Sequence, residues 1–460
     1  MLNLMPKKYK KALLIFRRDL RLHDNNALCQ ALETCERVLP CFIFDPRQYK
    51  KHEYFSEFAF KFLLQSLSDL SLQLEERKGR LFFFEGEPTK VINRLHAEEK
   101  IDAVFINRDY TPFAKSRDTA IKSRAEALGI TLHILADSLL NEPEEACKED
   151  GSPYTVFTPY FKKNSLKNIK TPKSLGFDNF QKTLSFSDNK DLFEKLKKEY
   201  SFLEICPAGR KAGVSILNNI KSYQEYQNLK DFPAKNSTTR LSAHNKFGTL
   251  SIREVYHTFL KTFGIEHPLI RQLYWRDFFT HIGYHFPHVF KKAFNSKYQD
   301  IVWENDLDKF TAWREGRTGF PLVDAGIREL NNTGFMHNRV RMISASFLCK
   351  DLHIDWRYGE KYFATKLIDY DACVNNGSWQ WAASTGCDAQ PYFRIFNPWL
   401  QQKKFDPYCL YIKKWLPELR EIPEKSIHSL EFSAKSINGY PKPIINHAEE
   451  SEKAKQMFEK

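Results

Sequence analysis

The chain has 460 residues, more than one hydrophobic core usually holds, so two domains are expected, with 42% apolar residues to fill them. Its 70 Lys plus Arg against 57 Asp plus Glu leave a formal charge of +13, which favours encounter with a polyanion and makes nucleic acid the natural partner class. Nine scattered cysteines, odd in number and without a C-x-x-C pair, argue against a disulfide framework, a zinc site or an iron–sulfur cluster, so no metal is expected. No run of about 18 apolar residues occurs, and ALLIF after the basic run 7–11 is too short for a secretion signal, so a cytoplasmic protein with no membrane partner is expected.

In chain order, ALLIF reads as a strand, residues 27–31 as part of a helix and VLPCFIF as a second strand. Helical spacing in FAFKFLLQSLSDLSLQL precedes strand-like RLFFFEG. Helix PTKVINRLHAEE, strand AVFIN, helix SRDTAIKSRAEALG and strand ITLHIL follow. This alternation predicts an α/β domain, a doubly wound parallel sheet, over residues 10–140. Ligands of such sheets sit at the carboxyl ends of strands, so the residues after ALLIF, CFIFD and VFINRD are candidates for a small-molecule site, although G-x-G-x-x-G is absent. Residues 141–205 turn polar and Lys-, Ser- and Pro-rich, with YTVFTPYFKK as the exception, and read as an interdomain linker. Residues 206–460 carry amphipathic runs separated by Gly, Pro and Asn, which predicts an all-α domain. All eight tryptophans lie there, from Trp275 to Trp415.

Three stretches carry chemistry. STTRLS (237–242) sets hydroxyls, backbone donors and a guanidinium just before a helical run, a composition suited to phosphate, although Ser and Thr clusters by themselves more often cap helices or solvate loops. In MHNRVRM, Asn338, Arg341 and Met342 fall at i, i+3 and i+4, a face expected to line a cavity because it would be costly as dry core. In residues 369–397, Asp371, Asn375 and Trp379 share one helical stripe that offers carboxylate, amide and indole to one neighbour, while Trp381 points elsewhere. The spacing alone also fits a buried structural helix with satisfied polar groups.

NNGSWQWAASTG followed by DAQPYFRIFNP, with RRDLRLHDN, STTRLSAH, YWRDFF and GFPLVDAGIRELNNTGFMHNRVRMISASFL in order before it, closely resembles the photolyase and cryptochrome family, nearest to the class I cyclobutane pyrimidine dimer photolyases. The resemblance implies an α/β antenna domain, a helical FAD-binding catalytic domain, and noncovalent FAD that is reduced in the active form. It implies DNA bearing UV lesions as the partner, with no obligate protein partner, a monomeric state and association with the nucleoid. Tyr226, Thr238, Thr239, Arg240, Leu241, Ser242 and Arg276 match positions that hold the cofactor. Arg341 and Asp369 match a pair beside the flavin, with Asp371 and Asn375 facing its ring. Trp379, Trp356 and Trp303 match the electron-transfer tryptophans. Trp275 and Trp381 match walls of the lesion pocket, where aromatic faces replace lost base stacking, and Lys230, Arg339 and Gln401 match positions near the DNA strand.

Departures from the family bear on lesion choice. Gln272 stands where dimer-splitting members usually have Glu and where (6-4) enzymes commonly have Gln. His337 is followed by Asn338, with Met342 four residues on, so the adjacent histidines of animal (6-4) enzymes are missing. Leu269 and Phe335 replace tryptophans of some relatives. Phe113 and Ala114 stand where folate-binding members have polar groups, which leaves a second chromophore of folate or deazaflavin type unidentified. The expected activity is light-driven repair of cyclobutane dimers, with a (6-4) photolyase and a non-repairing blue-light receptor as the alternatives. The chain ends soon after the last recognisable segment, unlike many signalling cryptochromes.

Overall fold

In the computed structural model, which describes residues 7–200, 206–388, 394–432 and 437–459, the five apolar runs of the first third form parallel strands. They are β1 (Tyr9–Phe16), β2 (Cys35–Phe44), β3 (Phe82–Glu85), β4 (Ala103–Asn107) and β5 (Thr131–Leu135), in the order β3-β2-β1-β4-β5. Leu13 of β1 lies opposite Leu39 of β2 on one side and Val104 of β4 on the other. Both faces of the central strands are covered, which is why their sequences are continuously apolar rather than alternating. Only the edge strand β5 is half-exposed. Local signals start the helices between them: Asn25, Ser56 and Thr111 accept from backbone N–H groups of the first turns of Asn26–Thr34, Glu57–Glu76 and Pro112–Ala127.

The strand order reverses between β1 and β4, where a doubly wound sheet opens its crevice. Here the crevice is filled by its own charged side chains. Arg17 reaches Asp118 at 2.5 Å, Arg18 reaches Asp109 at 3.1 Å, and Asn107 donates to Asp19 at 2.6 Å, leaving roughly 10 Å³, about the room of one water. Nearby, Arg21, Asp24, Asp137 and Arg253 form a buried two-to-two network, with Arg253 joining Asp24 at 2.7 Å and Asp137 at 2.9 Å, and Arg21 joining Asp137 at 2.7 Å. Balanced pairing is what makes four buried charges tolerable, and it ties helix Ile252–Phe263 to the loop after β1.

The chain divides into two compact units: residues 1–153, 159–222 and 239–284 form one, and residues 154–158, 223–238 and 285–460 the other. The stretch expected to be a linker holds helices Phe157–Asn164 and Lys190–Glu199, and Val38 exchanges backbone hydrogen bonds with Asn179 and Gln181. Buried Phe180 anchors that pairing, a single apolar residue that a Lys- and Ser-rich stretch hides from pattern reading.

The second unit is helical, although helices Gly209–Asn218, Ser242–Phe247, Ile252–Phe263 and most of Pro268–His285, read with it from sequence as residues 206–460, fall in the first. Its core gathers around helices Pro321–Thr333, Asn338–Lys350, Trp356–Lys366, Ala372–Ala383 and Leu410–Trp415. Trp313 is fully buried at its centre. The last helix, His447–Glu459, is pinned by two crossed pairs, since His447 bonds Asp351 and Glu450 bonds His353 at 2.7 Å. No described helix is long and apolar enough to cross a membrane.

Candidate functional site

Helix Ala372–Ala383 is built as the stripe requires. Asp371 is its N-cap, one carboxylate oxygen accepting from the N–H groups of Cys373 at 3.0 Å and Val374 at 3.2 Å. One turn on, buried Asn375 donates its amide to the Glu360 carboxylate at 2.8 Å and to the Glu360 carbonyl at 3.0 Å. Burial pushes the Glu360 carboxyl up to about 7, with the Asn375 bond pulling in the opposite direction. At the other end, the buried Lys350 ammonium donates to Ser384 Oγ at 2.6 Å, placing a cation at the helix C-terminus where the dipole favours one. Burial lowers that ammonium to about 8.

Trp379 packs edge-on against Phe363, with ring centroids 4.9 Å apart, and against Trp313 at 6.2 Å. Helix Trp356–Lys366 approaches so closely that a Cβ on Gly359 would stand 2.1 Å from the Trp379 ring. Trp356, buried, opens that helix behind its N-cap Asp355, and Trp303 is half-buried in the loop before helix Leu307–Glu315.

Arg341 pairs with Asp369, as expected, at 3.0 Å, and also donates to the Met336 carbonyl at 2.7 Å. The Asp369 side chain is 4% exposed and its Oδ1 is buried with no hydrogen-bond partner among the described residues. A buried carboxylate oxygen of that kind calls for a donor, and FAD, rich in N–H and hydroxyl donors, fits the need. Asn338 is exposed and donates to Met342 Sδ at 3.6 Å, so only Arg341 and Met342 of that trio are partly covered. His337 spends Nδ1 as N-cap of helix Asn338–Lys350, accepting from Arg339 N–H at 3.2 Å.

In the same unit, half-buried Tyr226 opens a one-turn helix that Lys230 closes, and Thr238 is half-buried. Arg339 pairs with Asp231 at 2.8 Å and lies 4.4 Å over the Phe405 ring. Trp381 packs on the core with the Arg394 guanidinium 5.8 Å from its ring, and Gln401 lies on helix Pro398–Phe405. Residues 389–393 of the DAQPYFRIFNP motif lie outside the described residues.

The other unit holds the remainder. Thr239 Oγ1 accepts from Leu241 N–H at 3.4 Å, Arg240 adopts φ of +54°, and Leu241 and Ser242 open helix Ser242–Phe247. That left-handed residue turns the hydroxyl run into the helix and is where a non-glycine backbone carries strain. Helix Pro268–His285 carries buried Leu269, exposed Gln272, and Trp275 in contact with Phe278 and Phe279. Arg276 donates to the carbonyls of Ser138 at 2.6 Å and Asn245 at 3.5 Å, which gives it a structural task alongside the expected one. Beside it, burial raises the fully enclosed Asp277 carboxyl to about 7 although Arg276 and two backbone N–H groups favour its charge.

Glu360 and Trp313 escaped sequence reasoning. Glu360 meets Asn375 from a different helix, and Trp313 looks like any core tryptophan until its ring is found against Trp379; no spacing signal points to either.

A five-stranded parallel sheet in one unit and a helical second unit with a buried carboxylate–amide–indole stripe are the two-part architecture that the comparisons place among FAD-binding proteins. Residues 269–460 match the family described as the FAD binding domain of DNA photolyase, and residues 12–174 match the DNA photolyase family. The deoxyribodipyrimidine photo-lyase of Alkalihalophilus pseudofirmus is 36% identical, over 96% of this chain and 96% of that protein. The crystal structure of an archaeal photolyase from Sulfolobus tokodaii with two FAD molecules is 42% identical with a TM-score of 0.88, covering 98% of this chain and 99% of that one. A bacterial class III photolyase structure from Agrobacterium tumefaciens is 32% identical with a TM-score of 0.89, covering 100% and 99%. This chain belongs to the DNA photolyase family.

Proposed function

We propose that this protein is a photolyase that uses light to split cyclobutane pyrimidine dimers in DNA. The observation that carries the reading is the likeness to a deoxyribodipyrimidine photo-lyase over 96% of both chains. Bound FAD supplies the chemistry, absorbing light and delivering an electron to the lesion. The residues of this chain supply position and environment. Arg341, Asp369, Asp371 and Asn375 are assigned to the flavin, and Tyr226, Thr238, Thr239, Arg240, Leu241, Ser242 and Arg276 to the rest of the cofactor. Asn375, held by Glu360, presents a neutral amide that hydrogen-bonds without adding charge. Glu360, whose carboxyl burial pushes up to about 7, accepts from that amide through its carboxylate at 2.8 Å and its carbonyl at 3.0 Å and is assigned as the positioning residue that fixes the orientation of Asn375.

Trp275 and Trp381 are assigned to stack on the extruded lesion, and Lys230, Arg339 and Gln401 to the DNA strand. The charge of +13 supports a partner of that sign and fits work on chromosomal DNA in the cytoplasm. Trp379, Trp356 and Trp303 are assigned as the relay that refills the cofactor with electrons. A second chromophore at the carboxyl ends of the strands would have to part the Arg17–Asp118 and Arg18–Asp109 pairs.

Against (6-4) repair stands the lack of a histidine pair. Chemistry on that lesion needs a proton donor of the histidine type beside the first histidine, and Asn338 and Met342 provide none. Splitting a cyclobutane ring needs electron delivery and carbonyl hydrogen bonds, which Gln272 supplies. The test is illumination of the fully reduced protein with single-lesion oligonucleotides of either kind, products resolved by chromatography. Restoration of the cyclobutane lesion alone is expected; restoration of the (6-4) lesion, or of neither, overturns the reading.

A further inference from the structure

The tryptophan relay, read as above, ends at Trp303, but the aromatic contacts do not. Phe458, on the last helix, meets the Trp303 ring edge-on with centroids 5.9 Å apart and an interplanar angle of 82°. Its other side meets Tyr298 at 5.6 Å and 53°. Trp303 and Tyr298 are both half-buried, whereas Phe458 is 5% exposed, so a buried ring separates two partly exposed residues. The geometry is held from both ends. The last helix is pinned through His447–Asp351 and Glu450–His353, and the His353 carbonyl accepts from the N–H groups of Glu304 and Asn305, directly after Trp303.

We propose that Tyr298 is a further redox residue, the terminal electron donor beyond Trp303, with Phe458 as the bridge between them; this rests on the relay reading. The step balances within the chain. When an oxidising equivalent produced by light at bound FAD reaches Trp303 as an indole cation radical, one electron leaves the Tyr298 phenol and restores neutral Trp303. The phenolic proton passes to solvent water, which a partly exposed tyrosine can reach. Loss of that proton makes tyrosine the easier of the two side chains to oxidise at neutral pH and makes return of the electron slow. The phenylalanine ring holds no charge at any stage; it supplies an unbroken path of π contact where a gap or a water would otherwise lie. The consequence is a radical placed farther from the cofactor and longer lived, which gives external reductant time to act.

The experiment is flash excitation of the full chain loaded with oxidised FAD, with tryptophan and tyrosine radicals followed by transient absorption and electron paramagnetic resonance. Wild type is expected to show a tyrosyl signal growing as the tryptophan radical decays. Tyr298→Phe should lose the tyrosyl signal and leave a tryptophan radical that recombines faster than the wild-type pair. Phe458→Leu should slow the transfer while the thermal melt shows the last helix still docked. Trp303→Phe should abolish both long-lived radicals. An undiminished tyrosyl yield in Tyr298→Phe, or a long-lived tryptophan radical in wild type without any tyrosyl signal, overturns the assignment of Tyr298 while leaving the relay standing. A long-lived tryptophan radical that survives Trp303→Phe overturns the relay and the assignment together.

Discussion

Replacing Arg341 by alanine probes the buried pair on which the proposed cofactor contact depends. In the native chain Asp369 Oδ2 receives the Arg341 guanidinium at 3.0 Å, and Oδ1 has no partner among the described residues. Arg341→Ala therefore leaves a carboxylate that is 4% exposed with neither oxygen bonded, and strips the Met336 carbonyl of its donor. Breaking a buried pair from one side costs about 3–5 kcal/mol. The Arg341 side chain is itself 24% exposed, so solvent screens the pair and the lower end, about 3 kcal/mol, applies. For a domain of this size that is a fall in Tm of roughly 6–12 °C. Asp369→Asn, which removes the charge and leaves the guanidinium partly in water, should cost less, about 1 kcal/mol. The double variant should be more stable than Arg341→Ala alone. Thermal melts by circular dichroism and FAD released by heat, measured per chain, read out both halves of the argument. Arg341→Ala with an unchanged melt and a full complement of FAD would refute it.

Glu360→Gln tests the raised carboxyl. Its folded pKa of about 7 lies above the ordinary 4.5, so the native state binds the proton more tightly, and its contribution to stability is full below about 4.5 and lost as pH rises through 7. The stability difference between wild type and variant should therefore change between pH 5 and 8, wild type losing up to about 3 kcal/mol relative to Glu360→Gln; parallel pH profiles would show that the carboxyl is not raised. Gly359→Ala drives a methyl group to 2.1 Å from the Trp379 ring, so a loss of about 1–3 kcal/mol and slower photoreduction are expected, and a variant that melts and photoreduces like wild type would show that Trp379 is not held there. Gln272→Glu, on an exposed face of its helix, should shift stability by no more than about 0.5 kcal/mol and keep or improve cyclobutane repair; loss of repair would mean that the amide itself is required.

Much of the architecture was legible before the fold. The runs ALLIF, CFIF, FFF and AVFIN are strands because continuously apolar stretches of that length suit a sheet covered on both faces, and TLHIL, at the half-exposed edge, was readable from its place in the helix–strand alternation. The Asp371, Asn375 and Trp379 stripe and the Arg341–Asp369 pairing were likewise readable, the first from helical spacing and the second through the family resemblance. Tertiary structure alone decided which partner each group meets. Glu360 stands behind Asn375, Trp313 against Trp379, Phe458 between Trp303 and Tyr298, and the crevice beside β1 is closed by Arg17, Arg18 and their carboxylates. The buried anchor Phe180 and the helices within residues 141–205 also became visible only there. The physical reason is that period and capping are properties of one segment and say where a side chain points along its own element. What it touches depends on how segments far apart in the chain pack, and so does the burial that raises Glu360 and encloses the Phe458 bridge.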